Sequence, residues 1–168
     1  MTGFVAGLFL GAVPTALALV VVGSLLRAPL PQGARQAAAA LAVAVLLLRE
    51  VGLFRFSLPQ NARQVPQFVT RIPFWGALQF GAEMGTGMRT YSPTGWPHAV
   101  AILLLLLAAW PEALAAGAGF ALGRTLMLLS FLAASDQAAA ATAFDGLPRL
   151  ERVFAVLAAP LMAVLIAA

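Results

Sequence analysis

From Thr2 to Leu26 the chain carries no charged side chain, and the run closes at Arg27. A helix needs about 20 predominantly apolar residues to cross the hydrocarbon core of a bilayer. The stretch from Gly3 to Leu26 has that length. It lacks the basic flank of a signal peptide and is longer than such a peptide's apolar region, so it reads as a retained first membrane helix.

The remainder has the same character. Of 168 residues, 62% are hydrophobic and 10% charged, with a mean hydropathy of +0.95. A soluble domain of this size cannot cover its surface with so few polar groups, so the bilayer must act as solvent. At about 20 residues per crossing there is room for about six spans and for no separate catalytic domain. The expected fold is all-α: a single polytopic integral membrane helix bundle over residues 1–168, with five or six transmembrane helices and broken or half helices in the middle. Its expected location is multi-pass in the plasma membrane, as in a bacterial inner membrane.

Composition also excludes chemistry. There is no cysteine, hence no disulfide, thiol redox centre or thiolate metal site, and a single histidine, His98, leaves no imidazole cluster. Neither a cofactor nor a metal is expected. All ten basic residues are arginines, scattered over loops and helix ends without the stripe that binds nucleic acid. No serine–histidine–acid set, phosphate loop or HExxH motif is present, so an enzyme is not the expected reading.

Along the chain, a proline- and glycine-containing turn at residues 28–33 separates the first helix from a second, Ala34 to Phe54, whose last turns carry Arg49, Glu50 and Arg55. Those long side chains are expected to reach the headgroups. Residues 57–72 are polar and read as a surface loop. A third stretch, Pro73 to Tyr91, is poor for a span because it holds Gln79, Glu83 and Arg89. A fourth, His98 to Ala109, is strongly apolar but too short to cross, with Trp96 and Trp110 bracketing it as interfacial anchors. Pro111 and Glu112 suit the first turn of a fifth helix running to Ala134. A short interfacial helix is expected within 135–149, then a sixth span from Leu150 to Ala168. Arginines fall on both sides of any such topology, so charge alone leaves the orientation open.

The functional candidates concentrate between Gly81 and Pro93. Gly81, Gly85, Gly87 and Pro93 weaken the helix there, and broken helices at membrane depth are how many transporters expose backbone groups to a substrate. Glu83, Arg89, Thr90 and Tyr91, with Arg124 from the fifth helix, are the candidate substrate-binding residues. Glu83 and Arg89 pair with each other only if the chain unwinds near Gly85 to Gly87; pairing with Arg49 and Glu50 is also open, and Arg124 is the expected partner on another helix. A structural ion pair that fixes helix packing is the competing reading. Glycines four apart at Gly3, Gly7 and Gly11, at Gly81 and Gly85, and at Gly119 and Gly123 permit close helix approach. Packing within the chain is their expected use; contact with another copy or a larger membrane complex is the other. The remaining partner is the lipid bilayer.

Gly11-Ala12-Val13-Pro14-Thr15, together with Phe80-Gly81, Gly87 and Thr90-Tyr91-Ser92-Pro93, resembles the glycine-rich, proline-broken motifs of the cytochrome c biogenesis and thiol-reductant transporter superfamily (the DsbD and CcdA type). The resemblance covers two short motifs and the size of the chain. It implies a six-helix inverted repeat that alternates about broken helices. The reactive cysteines of that family are absent, with Thr15 and Tyr91 or Ser92 near their places, so what it implies here is a non-redox carrier or accessory protein. A second similarity, to small MauE-like membrane proteins of methylamine utilisation, rests on size and hydropathy. A scaffold subunit of a larger membrane complex, with no substrate of its own, is the alternative.

Overall fold

The computed structural model describes residues 1–58, 73–88, 94–133 and 148–167. Among them the chain forms six helices and no strand: α1 (Thr2–Arg27), α2 (Gln32–Glu50), α3 (Phe74–Gly85), α4 (Trp96–Leu106), α5 (Trp110–Ala133) and α6 (Pro148–Ala167). Two of these, Thr2–Arg27 and Trp110–Ser130, are by themselves long and apolar enough to cross a membrane. The expectation of five or six spans thus meets six helices of unequal length. α2 carries Arg35, Arg49 and Glu50 within its 19 residues. In α6 the charged residues Arg149, Glu151 and Arg152 precede an apolar run that begins at Val153.

The ends of the helices follow local chemistry. α2 stops four residues before Phe54 because Gly52 takes φ +85, with its amide on Arg49 O and the Leu53 amide on Leu48 O. This is the double hydrogen bond of a glycine-terminated helix end. α3 ends at Gly87, φ +72, whose amide bonds Met84 O, while the Met88 amide turns to the Thr86 hydroxyl oxygen. At the start of α5, Glu112 reaches back to accept the Ala109 amide at 3.0 Å, half of a capping box. Pro14 and Pro160 lie inside continuous helices.

α1 is the axis of the bundle, packed against α3, α5 and α4. Gly3 lies against Phe74, Gly7 against Leu78 and Gly81, and Gly11 against Ala82 and Gly85, so α3 runs parallel to the first half of α1. A Cβ on Gly7 would stand 2.8 Å from Ala82 N, and one on Gly11 3.0 Å from Gly85 Cα. Only hydrogen fits between these backbones. Higher up, Ala16 and Val20 share a cluster with Leu104, with Val100 packed against it, and Gly23 lies against Leu105. α4 therefore continues in the same direction along the second half of α1. α5 is antiparallel, since Ala113 packs with Ala16 and Val20 while Ala121 packs with Leu8 and Ala12.

The second cluster joins α2, α4 and α6 through Ala39, Val43, Leu46, Ala99, Leu103 and Met162. α2 is antiparallel to α4, because Glu50 at its C-terminal end meets Gly95 at the start of α4. Taking α3 and α4 as one interrupted rod, the directions of α1, α2, α3–α4 and α5 alternate. The glycine faces at Gly3, Gly7, Gly11, Gly81 and Gly85 are consumed within the chain, as expected. Gly119 and Gly123 differ, with nothing within 4 Å of an added Cβ.

Gly11→Leu is expected to destabilise the fold by about 1–3 kcal/mol or more through overpacking, whereas Gly119→Leu leaves stability unchanged. Thermal unfolding of the two variants in one detergent checks the contrast.

Candidate functional site

The break between α3 and α4 lies beside the middle of α1. Gly85, the last residue of α3, packs on Leu8 and Ala12, and Val100, one turn into α4, joins the Ala16–Val20 cluster. The interruption is thus level with Pro14, the midpoint of Thr2–Arg27. At about 1.5 Å per residue neither half spans a bilayer, while the two in tandem reach about 35 Å. The sequence puts the break between Gly81 and Pro93. The structure narrows the division of labour, with Gly81 and Gly85 serving close packing and Gly87 alone making the turn.

On the α3 side, Glu83 is half-buried two residues before the helix end and has a partner. Its carbonyl accepts the Thr86 hydroxyl at 2.7 Å, and the Thr86 oxygen in turn accepts the Met88 amide at 3.4 Å. Gly87 abuts Phe120, whose ring would be 3.7 Å from an added Cβ. The Arg124 guanidinium, one turn further along α5, lies 5.3 Å from the centre of the same ring. Met84 and Phe120 both pack on the Leu8–Ala12–Ala121 cluster. The structure thereby links Arg124, through Phe120, to the start of the break. Arg89, Thr90 and Tyr91 lie outside the described residues.

On the α4 side stands a group the sequence reading assigned to the headgroups. Glu50 Oε1 accepts the Gly95 amide at 2.8 Å and Arg49 Nη1 at 2.7 Å. Its side chain is 10% exposed and that of Arg49 20%. Neither reaches out from the protein, because the amides at the α4 N-terminus need an acceptor and Glu50 is the one that α2 delivers. Arg49 also donates through Nε to Phe56 O at 3.0 Å and stacks on the Phe56 ring. Trp96, expected as an interfacial anchor, is half-buried instead, and its Nε1 is sealed from solvent without a hydrogen-bond partner. His98 is likewise drawn in, its Nδ1 buried. Leu46, Glu50, Gly95, Trp96 and Ala99 help to line a cavity of about 10 Å³, the size of a single water.

The far end of α4 is held as firmly. Arg27 Nη1 donates to Ala108 O at 2.5 Å, and Nη2 to Val20 O at 3.3 Å. α4 thus has a carboxylate at its positive end and a guanidinium just past its negative end, each of a sign that complements the helix dipole. Among the described residues no group of three or more histidine and acidic side chains is placed to hold a metal. No family model matches the chain, and no curated protein or solved structure matches it significantly.

The sequence signal that could have found the Glu50 cap is an acid without a neighbouring i+4 base, four residues beyond Leu46 on the buried face of α2. Glu50→Ala removes the acceptor of the Gly95 amide and leaves Arg49 without its carboxylate, and is expected to cost about 2–4 kcal/mol. Glu50→Gln, which keeps an acceptor oxygen, loses less. Unfolding temperatures in detergent rank the two.

Proposed function

We propose that the chain is a small polytopic protein of the plasma membrane, a non-redox carrier or transport-related accessory protein whose polar centre is the break between α3 and α4. The observation that carries this reading is the tandem placement of two half-helices along one continuous helix. Their facing ends lie level with its midpoint. On this reading α1, α3–α4 and α5 cross, with α5 opposite in direction to the other two, while α2 runs antiparallel to α4 and ends at Glu50, level with the break.

In such an arrangement the C-terminal carbonyls of one half-helix and the N-terminal amides of the other face the same depth, where backbone outside a helix is tolerated only next to protein or water. Glu83 and Arg89 would supply charge to the solute or its coupling ion, with Thr90 and Tyr91 as hydroxyl partners. The absence of cysteine removes thiol exchange from the reactions such a centre can perform. A scaffold subunit is the second reading. It is favoured by the open Gly119 and Gly123 face of α5, a surface suited to another membrane helix.

Because the chain is free of cysteine, single cysteines report water access directly. Met88→Cys and Leu126→Cys replace residues that are 74% and 64% exposed. In membranes, a charged thiol reagent is expected to label the first, at the break, and to spare the second, on a lipid-facing surface. Equal protection of both would defeat the water-lined break. In a host-cell uptake or complementation assay, Glu83→Gln and Arg89→Gln are each expected to lower activity about tenfold or more, the scale of losing one charge-assisted contact. Normal activity in both would leave the scaffold reading.

A further inference from the structure

Arg124 sits in the apolar body of α5, nine residues before its end at Ala133, so about 13 Å of helix lies beyond it. It is half-buried. Among the described residues its guanidinium makes no hydrogen bond and no salt bridge, and its recorded contact is the face of Phe120 at 5.3 Å. Arg35, half-buried in α2 with its Nε sealed from solvent and without a hydrogen-bond partner among the described residues, is the other arginine of this kind; the remaining interior charges differ. Arg27 has two carbonyls, Arg49 has Glu50 and Phe56 O, Glu50 has Gly95 and Arg49, and Glu83 has a partner of its own.

A cation at membrane depth is retained only where something pairs with it. This guanidinium lies over an aromatic ring that accepts none of its hydrogen bonds. Its N–H fork is left for a planar or tetrahedral oxyanion, the geometry that arginine binds bidentately. The Gly87 turn lies against the Cζ end of the same Phe120 ring, so Phe120 joins this guanidinium to the start of the break. We propose that Arg124, backed by Phe120, is an anion-binding site for a carboxylate or phosphate group, belonging either to a soluble solute or to the headgroup of an anionic lipid. The proposal rests on the membrane reading of α5. It is tested by binding, whereas the carrier reading is tested by labelling and uptake, so either can fail alone.

The full chain purified in detergent, as wild type, Arg124→Gln and Arg124→Lys, provides the test. Native mass spectrometry with phosphatidylglycerol against phosphatidylcholine reads the lipid arm. Thermal shift with inorganic phosphate and with succinate reads the soluble arm. Wild type is expected to bind one of these anions at least about fivefold more tightly than Arg124→Gln, with Arg124→Lys between them because it keeps the charge and loses the fork. Preference for phosphatidylglycerol alone assigns the site to a lipid headgroup; stabilisation by phosphate or succinate assigns it to a solute. Equal binding of every probe by wild type and Arg124→Gln overturns the site. Without added anion, Arg124→Gln is expected to unfold at the wild-type temperature or above, since it breaks no hydrogen bond or salt bridge. A fall of more than about 5 °C would make Arg124 a structural residue and overturn the proposal equally.

Discussion

The close approach of α1 and α3 is the constraint on which the rest of the structure depends. Lipid tails are as apolar as leucine, so helices in a membrane gain little from hydrophobic burial and associate through van der Waals contact at short range. Gly3, Gly7 and Gly11 on one helix and Gly81 and Gly85 on the other bring two backbones to a separation that admits no Cβ. The register follows from this contact. With Gly11 on Gly85, α3 has to end beside the middle of α1, and whatever comes next has to begin there.

What comes next is a second helix of 11 residues with a free N-terminus at that depth. Unpaired backbone amides away from water are costly, so the position calls for an acceptor. α2 supplies Glu50, and with it Arg49, whose charge balances the carboxylate. At the other end the α4–α5 turn receives Arg27 from the last residue of α1. α4 is short because it runs along only the second half of α1, and two neighbouring helices terminate on it. The apolar cluster of Val43, Leu46, Ala99 and Leu103 then seals α2 against α4 between these two polar ties.

Helix existence was legible from hydropathy almost throughout. α1 and α5 match their apolar runs to within one residue at each end, because a long apolar run bounded by Arg27, or opened by Pro111 and Glu112, has few alternative lengths. α2 was read too long, since hydropathy cannot see that Gly52 adopts a positive φ. The break was legible as a cluster of glycines. Which glycine turns the chain and which ones pack was not, because that depends on a partner helix some 70 residues away. Arg49, Glu50 and Trp96 were misplaced for a related reason: snorkelling to an interface is the default for a polar side chain near an apolar run, and only tertiary packing reveals an amide that needs the carboxylate more than water does. Arg89, Thr90 and Tyr91 fall outside the described residues. Of the candidate site the structure therefore locates Glu83 and Arg124.

The two sides of the break differ in what they leave available. On the α4 side the charges are spent, with the carboxylate on an amide and a guanidinium, and the cavity between them is no larger than one water. A solute admitted there would have to displace Glu50 and expose the end of α4. On the α3 side the helix ends on its own carbonyls and the Gly87 turn, and the neighbouring cation, Arg124, is held by an aromatic face that satisfies none of its donors. In the sequence Arg49 closes an apolar run and reads as reaching the headgroups, whereas Arg124 interrupts one and reads as a candidate binding residue. Their partners separate them: Arg49 is spent on Glu50 and Phe56 O, whereas the donors of Arg124 are left for the anion proposed above. Any ligand of this protein is therefore to be sought where α3 ends against α5, and not where α4 begins against α2.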